Sequence, residues 1–450
     1  MRRTAITTRL VAATTATLSL GLAAGLTACG SGDDDTGQNT GQNTGQATGQ
    51  ATGQATGQDA AEVTPHGYVE GAEEAAEPQL RLAVSDVAAG TLTLVDLLTG
   101  DTVQTEDAAE LHGSDNRYLF TTGEDATTVT DSGVWTVDHG DHFHYYRSEP
   151  GTVGEVPAGK PGHVVSADTR VAFFDDAGGD VKVYPRTGMD DHVLDPVTEF
   201  SVGPHHGVAV PFAGQVLSTL APEKDGADLP DTLAVFDEAG DRSDLAGDAT
   251  CTDIHGAATV RDAVLFACAD GVLTVTEEDT GEEASDTLAA TLLPYPEDAG
   301  GRAWTLAAGR DLVGVPFEDG GLGLLDPATG TWTVAPTDAP VTSAAVSPND
   351  RAVLALDENG TGYAVDPETG EILADARLIE TGGSGPDGAD GGDGGDGADG
   401  ASVVLGTERG YVSDPASGTV TELDVADGLR ETRGFDLGGA PGALAVTGGR

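Results

Sequence analysis

Three histidines, His139, His142 and His144, lie within six residues in the stretch Asp138-His139-Gly140-Asp141-His142-Phe143-His144-Tyr145-Tyr146. The whole chain of 450 residues has only ten histidines, so random placement does not account for this density. Neutral imidazole is the commonest protein ligand of zinc and copper, and carboxylate oxygens complete such sites. Side chains alternate along an extended segment, so His142 and His144 project from one face. They are candidate metal ligands, with His139, Asp138 and Asp141 in second rank. The plainer alternative is a polar hairpin turn with solvated histidines.

Four further sites carry histidine at matching places: Leu111-His112-Gly113, Gly162-His163-Val164, His205-His206-Gly207 and Ile254-His255-Gly256. Each stands just ahead of a short apolar run. The runs belong to a repeat that begins near Gln79. An apolar run is followed by a turn, a second apolar run, then Asp or another polar residue and a Gly-containing turn. Arg170-Val-Ala-Phe-Phe-Asp-Asp followed by Asp180-Val-Lys-Val-Tyr is one copy, and Arg351-Ala-Val-Leu-Ala-Leu followed by Gly362-Tyr-Ala-Val-Asp is another. Eight copies fit between Gln79 and the C-terminus, at the length of roughly 40 to 50 residues expected of one propeller blade. Short strands at regular spacing, with almost no helical periodicity, predict an all-β fold.

The predicted architecture is a β-propeller of eight blades, with seven as the alternative because the copy near Gly400 is irregular. A pair of β-sandwiches is the second architecture. No apolar run precedes Leu80, while Ala443-Leu-Ala-Val-Thr ends the chain. The C-terminal strand is therefore expected to complete the first blade and close the ring. In such a ring the histidines in register fall where one blade hands over to the next, facing the central channel. Zinc takes about four ligands, with nitrogen near 2.0–2.1 Å, so two or three of these histidines make one site. The His142/His144 pair either joins that site or makes a second, more exposed one.

The ends of the chain concern its address. Arg2, Arg3 and Arg9 precede an uncharged apolar stretch at 10–26, the pattern of a secretory signal rather than of a fold element. Leu26-Thr27-Ala28-Cys29 resembles a bacterial lipobox, which implies cleavage after residue 28 and a lipid on Cys29. The expected place is the outer face of the cell membrane. Residues 29–62 read as a disordered tether, since 36–58 repeat Thr-Gly-Gln-Asn/Ala and offer no apolar surface to offset ordering. The folded domain spans 63–450, interrupted at 381–400 by a Gly/Asp stretch. That stretch resembles calcium-binding nonapeptide repeats but lacks their apolar residue, so it reads as a solvated acidic loop.

Asp and Glu number 76 against 21 Lys and Arg, a net charge of −55 that repels nucleic acid and anionic lipid head groups. With Cys29 lipidated, Cys251 and Cys268 remain, and an exported compartment favours a disulfide between them. Soft thiolate ligation of a metal is the weaker alternative.

Asp138-His-Gly-Asp-His-Phe-His-Tyr-Tyr-Arg147, the segment His66-Gly-Tyr-Val-Glu-Gly-Ala-Glu-Glu-Ala75 and the histidines in register resemble the AztD family of zinc metallochaperones. Members of that family are exported β-propellers that load zinc onto the solute-binding protein of a zinc ABC importer. The resemblance runs from about His66 to the C-terminus. It implies zinc as the metal, that solute-binding protein as partner, and His112, His142, His144, His163, His206 and His255 as zinc-site positions, with His139 and His205 in reserve. The lipobox, the tether and the acidic insertion depart from the periplasmic members and imply delivery from a membrane anchor.

Two other readings compete. A zinc-dependent hydrolase on the same scaffold would keep one coordination position for water, but the chain has no Gly-x-Ser-x-Gly, no His-Glu-x-x-His and no phosphate loop. A surface interaction module would use the histidines only structurally. The expectation is a binding protein rather than an enzyme. Residue types alone leave copper and nickel open beside zinc.

Overall fold

A computed structural model describes residues 67–106, 110–222, 229–247, 250–278, 287–297, 299–380 and 400–449. The signal peptide, Cys29, the tether and all but the last residue of the Gly/Asp insertion lie outside the described residues.

The described chain is almost entirely β. Its helices are one turn or so each, at Arg186–Asp190 and Val425–Asp427. Eight antiparallel sheets of four strands succeed one another, and one of them gains a short parallel fifth strand at Ala246–Gly247. Their construction reflects the apolar pattern. The second strand of each sheet is a near-continuous apolar run, as in Tyr118–Thr122, Ala263–Ala267 and Val353–Asp357, and every residue of these three is buried. Such a strand has no solvent face, because sheets cover it on both sides. The last strand of a sheet instead alternates, as Ile372–Arg377 does between half-buried and exposed.

The cores form between consecutive sheets. Val210 and Leu217 of the fourth sheet pack with Phe266 and Val275 of the fifth. Leu82 and Val84 of the first pack with Tyr411, Val420 and Phe435 of the eighth. The C-terminal strand Leu444–Thr447 pairs antiparallel with Arg81–Asp86 in the first sheet, with Thr447 opposite Arg81 and Leu444 opposite Val84. The strands that precede the buried runs form an inner series: Leu444–Thr447, Glu110–Ser114, Pro161–Ala167, Ala209–Phe212 and Ala257–Val260 in the first five sheets. The first of these touches the second, the second the third and the third the fourth.

One hairpin stands apart. Val134–Asp138 and Phe143–Arg147 are inserted between the third and fourth strands of the second sheet, and Glu73–Ala75 adds a short third strand to them. Trp135 stacks on Tyr146 at 5.2 Å, and the Arg117 guanidinium lies 3.8 Å above the Trp135 ring. The Thr136 hydroxyl donates to the Gly448 carbonyl at 2.8 Å, so the hairpin is fixed to the end of the C-terminal strand.

Candidate metal centres

The hairpin turn holds the first histidine group. Gly140 takes φ of +84°, which only glycine adopts without strain, and its N–H donates to Asp138 Oδ1 at 2.6 Å. The His139 N–H donates to the His142 carbonyl at 3.0 Å and closes the turn. The three rings then meet, with centroids 4.9 to 5.0 Å apart. His142 Nε2 lies 3.0 Å from His144 Nε2. Their other nitrogens face carboxylates: His142 Nδ1 is 2.7 Å from Asp141 Oδ1, and His144 Nδ1 is 2.7 Å from Glu74 Oε1. The bond from His142 holds the Asp141 carboxyl below its ordinary range. His144 is buried under Gly67, where a Cβ would sit 2.8 Å from its ring. His139 and His142 are open to solvent.

The second group comes from three consecutive sheets. His163 is the third residue of Pro161–Ala167, while His206 and His255 stand just ahead of Ala209–Phe212 and Ala257–Val260. Their ligand-type nitrogens all lie within 4.8 Å of one another. His163 Nε2 is 3.2 Å from His206 Nε2. His206 Nδ1 is 2.8 Å from Asp176 Oδ2, and His255 Nδ1 donates to the Trp304 carbonyl at 2.9 Å. Burial would raise the Asp176 carboxyl. The His206 bond and the Lys160 ammonium, 3.3 Å from the same oxygen, outweigh it and hold Asp176 below the ordinary range. Gly162 makes room for this carboxylate, since a Cβ there would lie 2.3 Å from Asp176 Oδ1.

The two groups share a tautomeric logic. An imidazole that gives its Nδ1–H to a carboxylate or carbonyl presents a lone pair at Nε2. In the hairpin both Nδ1 atoms face carboxylates, so two Nε2 lone pairs meet at hydrogen-bond distance and repel unless a cation, a proton or a metal ion, lies between them. In the channel group His206 and His255 are oriented in the same way, and the His206 lone pair faces His163 Nε2. Asp176, Glu74, Asp141 and the Trp304 carbonyl are the orienting partners.

The groups stand at opposite ends of the inner strands. Ser114, Ala167 and Gly449, at or just past the far ends of three inner strands, line one cavity of about 520 Å³ together with Trp135, Thr136 and Asp138 of the hairpin. His163, His206 and His255 mark the near ends. Of the two arrangements open to the His142/His144 pair, the structure has the second: a separate, more exposed group that His139 completes.

Four expected ligands have other employment. His205 points away from its neighbour: Nδ1 donates to the Gly203 carbonyl at 2.8 Å, and Nε2 accepts from the Thr219 hydroxyl at 2.9 Å. Its ring lies against Phe174, and burial lowers its pKa. Asp138 shapes the turn and Asp141 orients His142, so the second-rank carboxylates act behind the imidazoles. His112 stands beside the channel group without entering it. Its ring is 6.4 Å from that of His163, and Nε2 faces Glu110 at 3.1 Å. Cys251 and Cys268 are joined in a disulfide with Cα atoms 5.2 Å apart, which removes the thiolate alternative.

No family model matches the chain. The zinc chaperone AztD of Citrobacter koseri is 24% identical over 383 residues, covering 82% of this chain and 86% of that protein. The crystal structure of Citrobacter koseri AztD superimposes with a TM-score of 0.71 at 22% identity, over 82% of this chain and 98% of the other. This chain is a relative of AztD. The structure of the apo form of Citrobacter koseri AztD agrees, with a TM-score of 0.70 at 21% identity over 83% of this chain. The match to AztD thus takes in most of the folded part, and AztD is named for chaperoning zinc rather than for catalysis.

The carboxylate behind the channel group yields a first test. Asp176→Asn keeps an oxygen for His206 but removes the charge that supports its basicity. Zinc affinity of the channel group is expected to fall roughly 10- to 100-fold, read by competition with a chelator, while zinc binding at the hairpin group is unchanged.

Proposed function

We propose that this chain is an extracytoplasmic zinc metallochaperone. It holds zinc on His163, His206 and His255, with a second site on His139, His142 and His144, and passes the ion to the solute-binding protein of a zinc ABC importer. The carrying observation is the facing pair of Nε2 atoms in each group, with the opposite nitrogens of His142, His144 and His206 each held on a carboxylate. The relation to AztD supports zinc over copper or nickel. The eight sheets are read as the blades of one propeller, with Leu444–Thr447 closing the ring.

The chemistry suits a carrier. Three imidazoles leave one position of a tetrahedral zinc for an incoming ligand. An acceptor side chain can bind there before any histidine lets go, so the ion never passes through bulk water. Nothing covalent is made or broken in the chain. Cys29, read as a lipid attachment point, and the tether place the carrier on the outer face of the membrane. A shared membrane raises the effective concentration of an anchored acceptor.

The test is metal transfer. The purified chain is expected to carry zinc, and mixing the loaded form with the importer's binding protein should move the metal even in the presence of a chelator that captures free zinc. A chain that holds no zinc, or that releases it only to the chelator, contradicts the proposal. Loading with copper or nickel in preference to zinc would reassign the metal.

A further inference from the structure

We infer that the Cys251–Cys268 disulfide is a positioning element of the channel site, holding His255 where its Nε2 meets those of His163 and His206. The inference rests on the zinc reading of that site.

The three histidines are not held alike. His163 lies within a strand, at an irregularity bracketed by the pairs Pro161 with Asp175 and Val164 with Phe173, so ladder pairing holds it from both sides. His255 precedes its strand, on a segment that leads from Cys251 to Gly256. Backbone bonds tie this segment to the end of the buried strand Ala263–Ala267 and the turn beyond it. The His255 N–H donates to the Ala267 carbonyl at 3.0 Å, and the Ala269 N–H donates to the Thr252 carbonyl at 2.7 Å. Cys268 lies between those two partners, and its bond to Cys251 closes the bracket covalently. Both sulfurs belong to residues with no exposed surface. The ring itself is aimed by the Trp304 carbonyl. Gly256, at φ of +76°, lets that carbonyl approach, because a Cβ at 256 would lie 2.6 Å from its oxygen.

A ligand on a loop must be ordered when the metal binds, and that cost is subtracted from affinity. A covalent bracket removes the cost beforehand. The hairpin group has no such bracket, so one molecule carries a site that depends on the disulfide and a site that does not.

The experiment compares zinc and cobalt(II) titrations of the full chain and of Cys251→Ala/Cys268→Ala. Both are made in a background with His142→Ala and His144→Ala for the channel site, and without it for the hairpin. The expected result is a loss of roughly tenfold or more at the channel site, within the range found when groups that orient metal ligands are altered. The cobalt(II) absorption of that site should change with it, while the hairpin affinity stays within about twofold. Gly256→Ala should weaken the channel site with the disulfide intact. An unbridged chain that binds zinc at the channel site as tightly as the parent overturns the inference. Should the alanine pair not fold, Cys251→Val/Cys268→Ala fills the space and is read the same way. If neither folds, the bridge serves the fold as a whole and the site-specific claim is wrong. His255→Ala separates the two levels. If it leaves channel binding unchanged the zinc reading itself fails, whereas if it abolishes binding and the unbridged chain does not weaken it, only the positioning role fails.

Discussion

Replacing His206 by alanine is expected to weaken zinc binding at the channel site by more than ~100-fold, beyond the upper end of what changes behind the ligands cost. His206 is the middle of the group. Its ring centroid is 4.9 Å from that of His163 and 5.4 Å from that of His255. Its loss takes one of three ligand nitrogens and also the group that faces Asp176. That carboxylate is buried, and among the described residues its Oδ1 has no hydrogen-bond partner. Without His206, Oδ2 keeps only Lys160, so the metal-free variant should also lose about 1–3 kcal/mol of stability, the cost of an under-satisfied buried polar group. His205→Ala is the control next door. It removes a ring packed on Phe174 and bonded to Thr219, so it should lower stability and leave zinc affinity nearly unchanged. Chelator competition at neutral pH reads the first effect and thermal unfolding the second. A His206→Ala chain that holds zinc within about threefold of the parent would remove the channel group from the zinc site.

The contrast between those neighbours marks where the sequence stops being readable. His205 and His206 are the same residue type side by side. On an extended backbone they face opposite ways, and only the register of the coming strand says which faces the channel. Sequence placed the histidines ahead of the buried runs, and the structure has His112 and His163 within inner strands and His206 and His255 just ahead of two others. Sequence also anticipated the pairing of the C-terminal strand with the run at Leu82, since an unpartnered first run and a spare last one are both visible. The partners behind the rings are another matter. Asp176 orients a ring 30 residues away and Glu74 one 70 residues away, and no spacing rule connects such pairs. Asp176 sat in view as the second of two aspartates ending a strand. The doubled acid was a usable signal, given that a liganding imidazole needs an acceptor behind it. The Trp304 carbonyl gave no signal at all, since any residue supplies one. For the hairpin the sequence left two arrangements open, one site with the channel histidines or a second, more exposed one. The contact of Thr136 with Gly448, distant in sequence, is what ties it to the far ends of the inner strands.

Acidification is expected to strip the channel site steeply. Zinc binds neutral imidazole, so each ring that carries a proton must release it on binding. Every such ring adds up to about tenfold in apparent affinity per pH unit, and three rings approach a thousandfold at the limit. Between about pH 7.5 and 5.5, an interval that spans the ordinary imidazole pKa, the apparent zinc affinity should therefore fall by several orders of magnitude. The carboxylate behind the site does not share in this. Asp176 is held below its ordinary value in the folded chain, so its contribution is present above the usual carboxylate pKa and disappears only as pH falls through the lower folded one. Across that interval it stays ionised, and the slope counts imidazoles alone. Titration calorimetry in buffers of different ionisation enthalpy gives the protons released per zinc. Affinity that is flat over this interval, or proton release near zero at its acid end, would mean that carboxylates rather than His163, His206 and His255 hold the ion. A steep slope also bears on delivery: a carrier bound through imidazoles loosens its metal wherever the local pH at the membrane surface drops, while the acceptor's hold depends on its own ligands.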